Sequence, residues 1–302
     1  MAARWLPLPA AYHPLTFFRF FAKQLAGKVH PDISRSIQQQ RLSGALAVVV
    51  ALFTPLGVLY ALYQFSELPW VLDALLLYCS LDWALQRQKA EHLARDLQRN
   101  QLTMARGRIK NLVLRDTQAM TSMGLSKACI ESLLLRSARQ VIAVFFWFLC
   151  GGGLAAFGYR LLHELSQQWN VKLPRFRYFG QAASQISSLL AAPAMLISYT
   201  LLTVQSGIFK VLRQYQRQQG RYFGYLQYWL LSCGSSATGL NLGGPVFYAA
   251  EKITRCRIQR AADPAWYDIV RTLVMLNYLH LYSLMLVSSI SLIQAALYIA
   301  ER

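Results

Sequence analysis

Residues 115–160 contain the side chains whose types and order are best suited to chemistry. The segment opens on Arg115-Asp116-Thr117, continues through a polar stretch with one acid, Glu131, and ends at Tyr159-Arg160. Within it, Val141 to Phe157 carries no charge at all. Polar groups therefore lie at the edge of an apolar element. That element is either the core of a protein or a segment that crosses a bilayer.

The composition of the whole chain favours the bilayer. Of 302 residues, 55% are hydrophobic and 15% are charged, whereas globular chains contain about 25% charged residues. The formal net charge is +18. Because Lys and Arg gather in the cytoplasmic loops of membrane proteins, the basic excess requires no nucleic-acid partner.

Five apolar segments are each long enough to cross the hydrocarbon as a helix, which takes about 20 residues at about 1.5 Å each. They predict an all-α, polytopic integral membrane protein, a single domain over residues 1–302, with spans at about 42–65, 68–85, 141–159, 182–205 and 270–299. The N-terminus is too interrupted by Pro and polar residues for a signal peptide. The first span is expected to target the chain.

Two acids fall inside the second predicted span, where a charge is costly and marks a candidate functional residue. Asp73 lies close to the start of the helix, where an acid also favours the helix dipole. Asp82 lies near its end and is expected to reach water. Helix-stabilising, structural roles are therefore expected for both.

The segments between the spans are basic. Residues 86–140 predict an amphipathic helical hairpin on the cytoplasmic surface, with Asp116 or Thr117 as the N-cap of the next helix. Residues 206–269 form a second basic region, in which 227–243 suits an interfacial or re-entrant helix. With a cytoplasmic N-terminus in a bacterial inner membrane, 26 of the 31 Lys and Arg residues lie on the cytoplasmic side.

Motif searches exclude several common enzyme classes. The chain has no Walker loop, no HExxH, no GxSxG and no dinucleotide fingerprint. Its five cysteines form no CxxC and are expected to be reduced packing residues. Gly239 to Pro245 reads GLNLGGP, a turn whose backbone N–H groups can face an anion.

Several short motifs, taken in order, resemble the CobD/CbiB family, the integral membrane adenosylcobinamide-phosphate synthases of cobalamin synthesis. The motifs are His13-Pro14, Arg115-Asp116-Thr117, Glu131-Ser132-Leu133, Phe146-Trp147 with Gly151-Gly152, Tyr159-Arg160, Arg177-Tyr178-Phe179-Gly180, and Leu242-Gly243-Gly244-Pro245 with Tyr248. The resemblance covers nearly the whole chain.

The resemblance implies an ATP-dependent ligase that joins adenosylcobyric acid to an aminopropanol phosphate through an amide bond. ATP and Mg²⁺ would be the cofactors and the corrinoid a substrate, with no dedicated metal ligands assigned. It places Asp116 and Glu131 as catalytic residues, although a helix cap and a surface ion pair are equally good interpretations. The substrate-binding candidates are His13, Arg115, Thr117, Ser132, Tyr159, Arg160, Arg177, Gly243 and Gly244.

The chain also departs from the family pattern. By the motif alignment, five positions that carry acids in the family hold Leu135, Arg139, Ser166, Ser187 and Ser188 here. These losses predict a damaged Mg²⁺ site. They support the alternative of a non-catalytic, AmpE-like membrane regulator or scaffold; a transporter is less favoured, because no inverted repeat is visible. Expected partners are the bilayer, the corrinoid and aminopropanol phosphate, and further copies of the chain or other cobalamin-pathway membrane proteins.

Overall fold

The fold of the chain is almost entirely helical. A computed structural model describes residues 13–30, 35–110, 112–113, 115, 117–207, 225–248, 251–253, 257–258 and 262–300. The α-helices are α1 (Pro14–Val29), α2 (Ile37–Gln64), α3 (Pro69–Ser80), α4 (Trp83–Gln98), α5 (Leu102–Ile109), α6 (Ser122–Ser137), α7 (Ala143–Gln168), α8 (Gln181–Ser206), α9 (Tyr225–Thr238) and α10 (Trp266–Ala300). A π-helical turn (Ala138–Ile142) joins α6 to α7, and a 3-10 turn (Pro174–Phe176) precedes α8.

Four stretches of helix in the described part of the chain are long and apolar enough to cross a membrane. They are Ile37–Gln64, Ser122–Gln168, Gln181–Val204 and Trp266–Ser291. Helix α2 exposes large apolar side chains such as Leu46, Val50 and Phe53, as lipid-facing helices do. The predicted helical, multi-pass membrane architecture is confirmed.

The second predicted span is wrong as a continuous helix. Helix α3 ends at Ser80, Leu81 has an extended backbone, and α4 begins at Trp83. Twelve helical residues cover only about 18 Å, well short of the hydrocarbon thickness of about 30 Å. The apolar run 68–85 therefore does not form a spanning helix by itself.

The third predicted span is broken in its middle. Within α7 the backbone leaves the helical region at Gly151 and Gly152, and Gly152 has φ 66° and ψ −162°. Only glycine adopts that conformation readily. The Asp73 carboxylate accepts hydrogen bonds from the Gly153 amide (2.6 Å) and from the Tyr63 hydroxyl. Asp73 thus stabilises the restart of the helix after the break.

The described residues divide into two compact units. The first comprises Met1–Asp82 and Ala143–Ala192, and the second comprises Trp83–Ile142 and Pro193–Arg302. In the first unit α1, α2, α3 and α7 pack around an apolar core. Trp169, at the end of α7, is fully buried there, and its indole N–H donates to the carbonyl of Ala22 at 3.1 Å.

The second unit contains the predicted helical hairpin, formed by α4 and α5. Helix α10 packs against α4 and α6, and α9 packs against α6. The predicted N-cap of α6 is wrong, because Thr121 caps the helix by accepting from the Gly124 amide at 3.2 Å. The hydroxyl of Thr117 donates instead to the carbonyl of Arg106 at 3.3 Å.

Two small antiparallel sheets follow α9 in the second basic region. Strand β1 (Leu242–Gly243) pairs with β4 (Arg257–Ile258), with Gly243 opposite Arg257. Strand β2 (Val246–Tyr248) pairs with β3 (Glu251–Ile253). The first pair places the glycine motif beside a basic strand, which the helical interpretation of 227–243 did not predict.

Candidate functional site

The first unit contains a buried network of four charged side chains, the arginine–carboxylate cluster of Arg19, Asp82, Arg160 and Glu164. Arg19 binds Glu164 through Nε at 2.7 Å and Asp82 through a terminal nitrogen at 3.1 Å. Arg160 binds Glu164 at 2.7 Å and lies 3.8 Å from Asp82. Its Nε also donates to the carbonyl of Ser80 at 3.1 Å. Helices α1 and α7 and the end of α3 are thereby joined.

The charges in this cluster balance, two positive against two negative. Arg160 is 0% exposed and Glu164 is 3% exposed. The expectation that Asp82 reaches water is wrong, since it is 7% exposed and pairs with Arg19. Buried charges are stable only when they are paired, so removal of one member leaves the others uncompensated. We therefore interpret the cluster as a structural element that stabilises the packing of these helices.

His13 begins α1 beside this cluster. Its Nδ1 accepts a hydrogen bond from the Leu15 amide at 3.3 Å, which caps the helix. That bond requires a neutral ring with its proton on Nε2. Burial lowers the pKa of His13 below its ordinary value, and the nearby Asp82 carboxylate opposes that shift. The structure thus brings two predicted binding residues, His13 and Arg160, to one region.

The other predicted residues of the first unit differ in setting. Tyr159 is buried, with its ring stacked between Trp147 and His163 at centroid distances of 6.5 and 6.3 Å. Arg177 is exposed, lies over the neighbouring Tyr178 ring and is not part of the arginine–carboxylate cluster. A role for Tyr159 in packing follows directly from these contacts.

Two positions where the motif alignment places family acids lie next to each other. The hydroxyls of Ser166 and Ser187 are 3.4 Å apart, and Nδ1 of His163 is 3.4 Å from Ser187. All three side chains are buried. A hydrogen-bonded Ser–Ser–His group therefore occupies this position, and it holds no carboxylate that would bind a divalent cation.

The second unit brings together three motifs that are far apart in the sequence. Glu131 of α6 is 1% exposed. One of its carboxylate oxygens accepts from Arg115, and the other accepts from the backbone amide of Gly243 at 2.7 Å. The RDT, ESL and LGG motifs therefore meet at one carboxylate, and the role of Arg115, Glu131 and Gly243 as site residues stays a prediction.

The glycine motif has a backbone that disfavours other residues. Gly243 has φ 72° and Gly244 has φ 97°, and L-amino acids with a side chain avoid this region. A Cβ at Gly244 would lie 3.7 Å from Nζ of Lys127 and 3.8 Å from Nε of Arg257. Two cations thus approach one face of the glycine turn.

Two other predicted residues of this unit, Thr117 and Ser132, form hydrogen bonds with nearby segments. Thr117 is buried and bonds to Arg106. The Ser132 hydroxyl donates to the carbonyl of Leu112 at 3.3 Å and accepts from Arg136 at 3.1 Å. Asp116, the other predicted catalytic acid, lies outside the described residues. Both described side chains fix the segment that carries Arg115.

No group of three or more His, Cys, Asp or Glu side chains in the described part of the chain has the arrangement of a metal site. The buried acids Asp82, Glu131 and Glu164 are all paired with arginines. Mg²⁺ is commonly held by one or two carboxylates together with substrate phosphates. These residues therefore do not fit a resident Mg²⁺ ion.

Four charged residues near these sites were not predicted as site residues, namely Arg19, Glu164, Lys127 and Arg257. Arg160 and Glu164 are four residues apart on an otherwise apolar helix, and that spacing is the signal of an ion pair. Arg19 had no such signal, because its partners Asp82 and Glu164 are distant in the sequence. Lys127 and Arg257 had no signal in the sequence, because only the pairing of β1 with β4 brings Arg257 to the glycine turn.

Comparison with known proteins identifies the family of this chain. The family model described as CobD/Cbib protein matches residues 2–276. Cobalamin biosynthesis protein CobD of Chromobacterium violaceum is 29% identical over 277 residues, which is 91% of this chain and 88% of that protein. The protein of the same description from Stutzerimonas stutzeri is 28% identical over 257 residues, 85% and 84% of the two chains.

Cobalamin biosynthesis protein CbiB of Salmonella typhimurium is 22% identical over 244 residues, 77% of this chain and 76% of that protein. No solved structure matches the chain. Since the family model covers far more than half of the sequence, the chain belongs to the CobD/Cbib family.

Proposed function

We propose that this chain is a membrane-bound enzyme of cobalamin biosynthesis of the adenosylcobinamide-phosphate synthase type. The reaction joins the carboxyl group of adenosylcobyric acid to the amine of an aminopropanol phosphate. ATP supplies the phosphoryl group that activates the carboxyl. Family membership supports the reaction class, and the relatives are described as cobalamin biosynthesis proteins.

One observation of the fold carries the proposal. The Glu131 carboxylate joins Arg115 to the amide of Gly243, so an arginine and a glycine turn are held together in a setting suited to a phosphorylated substrate. Both carboxylate oxygens have donors. We therefore assign Glu131 as the residue that positions Arg115 and the turn, and Arg115 as a binder of substrate phosphate or carboxylate.

A requirement for Mg²⁺ would come from the bound ATP. Mg²⁺ would enter with the ATP phosphates, where it neutralises charge during phosphoryl transfer. The family resemblance also predicts Asp116 as a catalytic acid. His13 would act on the carboxylate-bearing corrinoid, with its N–H at Nε2 as a donor, whereas the buried Arg160 would stabilise the charged cluster beside it.

Complementation tests this proposal. A synthase-deficient strain supplied with cobyric acid is expected to grow when it expresses this chain. Glu131→Gln keeps one acceptor oxygen but loses the charge that holds Arg115, so growth is expected to fail. Arg87→Ala, which removes an exposed ion pair on α4, serves as the control and is expected to support growth. Absence of growth with wild-type protein present in the membrane would contradict the proposal.

A non-catalytic membrane regulator or scaffold is the second candidate. The hydrogen-bonded Ser166, Ser187 and His163 favour it, because they hold no carboxylate for a cation. Failed complementation by a folded protein, together with loss of a regulatory phenotype on deletion, would select this alternative. Binding to further copies or to other pathway membrane proteins would suit it equally.

The localisation that fits this function is the bacterial inner membrane, with the basic segments 86–140 and 207–271 in the cytoplasm. A cytoplasmic N-terminus then requires residues 68–85 to complete a crossing, although α3 is only 12 residues long. A fluorescent protein that matures only in the cytoplasm, fused to the N-terminus, decides the orientation. Fluorescence supports the crossing, and its absence places the N-terminus outside.

A further inference from the structure

We infer that Lys127 and Arg257, together with the Gly243-Gly244 turn, form a binding site for a phosphate group. This inference deepens the proposed function, on which it rests for the identity of the ligand as a phosphorylated substrate. Neither cation belongs to the motifs that resemble the family, and both are placed by the fold.

Convergence of the two cations is the first observation. Nζ of Lys127 and Nε of Arg257 both lie within 4 Å of the same point, the position that a Cβ would take at Gly244. Two donors so close to one point can bind the oxygens of a single tetrahedral anion. A side chain at residue 244 would fill the space between them.

The local charge balance is the second observation. The charged groups that act on Lys127 are Glu131, Arg257, Asp263 and Arg115. Glu131 is engaged by Arg115 and by the Gly243 amide, and Asp263 accepts from Asn241 at 2.9 Å. Counting Lys127 itself, these groups of the described residues are three cations and two carboxylates. An anion beside Lys127 and Arg257 would be attracted by both of them.

The backbone supplies the third observation. Pairing of β1 with β4 sets Arg257 directly opposite Gly243, which fixes the arginine on the turn. The positive φ angles of Gly243 and Gly244, 72° and 97°, favour glycine, so no side chain lies between the turn and the two cations. Helix α6 presents Lys127 to the same turn, so three elements with different positions in the sequence build one site.

Calorimetry on the full-length protein in phosphatidylcholine nanodiscs tests the site. The probes are inorganic phosphate, an aminopropanol phosphate and ATP. Lys127→Gln is expected to weaken binding of at least one probe about tenfold, because a charge-assisted hydrogen bond is lost. Gly244→Ala is expected to weaken it similarly. Lys110→Gln, which changes an exposed cation on another segment, is the control and is expected to bind as wild type.

Unchanged affinity for all three probes in folded Lys127→Gln and Arg257→Gln would overturn the site. Nanodiscs that contain phosphatidylglycerol separate the two sources of phosphate: competition that depends on Lys127 identifies a lipid headgroup as the occupant, and its absence identifies the soluble ester. If Lys127 governs phosphate binding but the chain fails to complement, the site stands and the proposed function falls. If the chain complements and Lys127→Gln binds phosphate and complements like wild type, the proposed function stands and the phosphate site falls.

Discussion

Both units of the molecule bury carboxylates against arginines, but the surroundings differ. In the first unit, Asp82 and Glu164 are matched by Arg19 and Arg160, and the charges cancel. In the second, Glu131 binds Arg115 while Lys127 and Arg257 add positive charge beside a glycine turn. A balanced buried network stabilises the fold, whereas two cations that converge on a glycine turn suit an anionic ligand. Substitutions that separate stability from binding test this distinction.

Removal of Arg160 should produce the largest loss of stability. Arg160→Met leaves Glu164 and Asp82 with only Arg19 as a partner, and breaking a buried ion pair costs about 3–5 kcal/mol. The free energy of unfolding, measured by denaturant titration in mixed micelles, is expected to fall by that amount. A variant as stable as wild type would show that the cluster does not stabilise the fold.

The double variant Arg160→Met/Glu164→Met is the matched control. It restores the balance, because Arg19 and Asp82 remain as a one-to-one pair. Its stability is expected to lie above that of Arg160→Met alone. A further loss in the double variant would mean that packing of the long side chains, and not charge, determines the effect.

Gly152→Ala should have the next largest effect. The backbone at φ 66° and ψ −162° is strained for any residue with a side chain, and the new Cβ would lie 2.9 Å from the Asp73 carboxylate. We expect a loss of about 1–3 kcal/mol. Gly57→Ala, where a Cβ would meet nothing within 4 Å, is the control and should leave the unfolding transition unchanged or raise it slightly.

Acid should destabilise the first unit through His13. Its pKa is lowered in the folded chain, so the unfolded state takes up the proton first as pH falls. The contribution of the neutral ring is fully present above the ordinary value of 6.5 and declines at lower pH. Unfolding measured from pH 7.5 down to 5 should show this loss of stability as the pH falls below 6.5.

The variant His13→Asn removes the titratable group and keeps a side chain that can cap the helix. Asparagine also caps helices well but carries no titratable group. The slope is expected to flatten below pH 6.5 in this variant. An unchanged slope would assign the pH dependence to a different group.

Arg87→Ala should have the smallest effect. Arg87 and Glu91 form an i,i+4 pair at 2.6 Å on the surface of α4, with both side chains more than a third exposed. Such pairs contribute about 0.3–0.5 kcal/mol. An effect of several kcal/mol on the same titration would contradict the assignment of large energies to the buried cluster alone.

Much of the architecture follows from apolar runs and short motifs. The membrane helices and the hairpin of α4 and α5 agree with prediction, whereas the contacts among Arg115, Glu131 and Gly243 could be seen only in the fold. The prediction of one spanning helix over 68–85 was wrong, because hydropathy does not reveal the extended backbone at Leu81. The break at Gly152 and the partner of Asp73 depend on tertiary contacts that no local pattern encodes.

The two clusters show the same limit. The spacing of Arg160 and Glu164 is visible in the sequence, but Arg19 and Asp82 join them only through helix packing. Arg257 reaches the glycine turn through a two-residue strand pair, a feature too short to predict. Charged residues outside recognised motifs thus become interpretable only when the fold shows their partners.

The most direct test is chemical synthesis by the purified protein in nanodiscs. Adenosylcobyric acid, an aminopropanol phosphate, ATP and Mg²⁺ are incubated with the full-length chain, and the product is followed by mass spectrometry. We predict an amide-linked product that requires ATP and is lost with Glu131→Gln. No product from wild-type protein that is folded and binds the phosphate ester would contradict the synthase assignment.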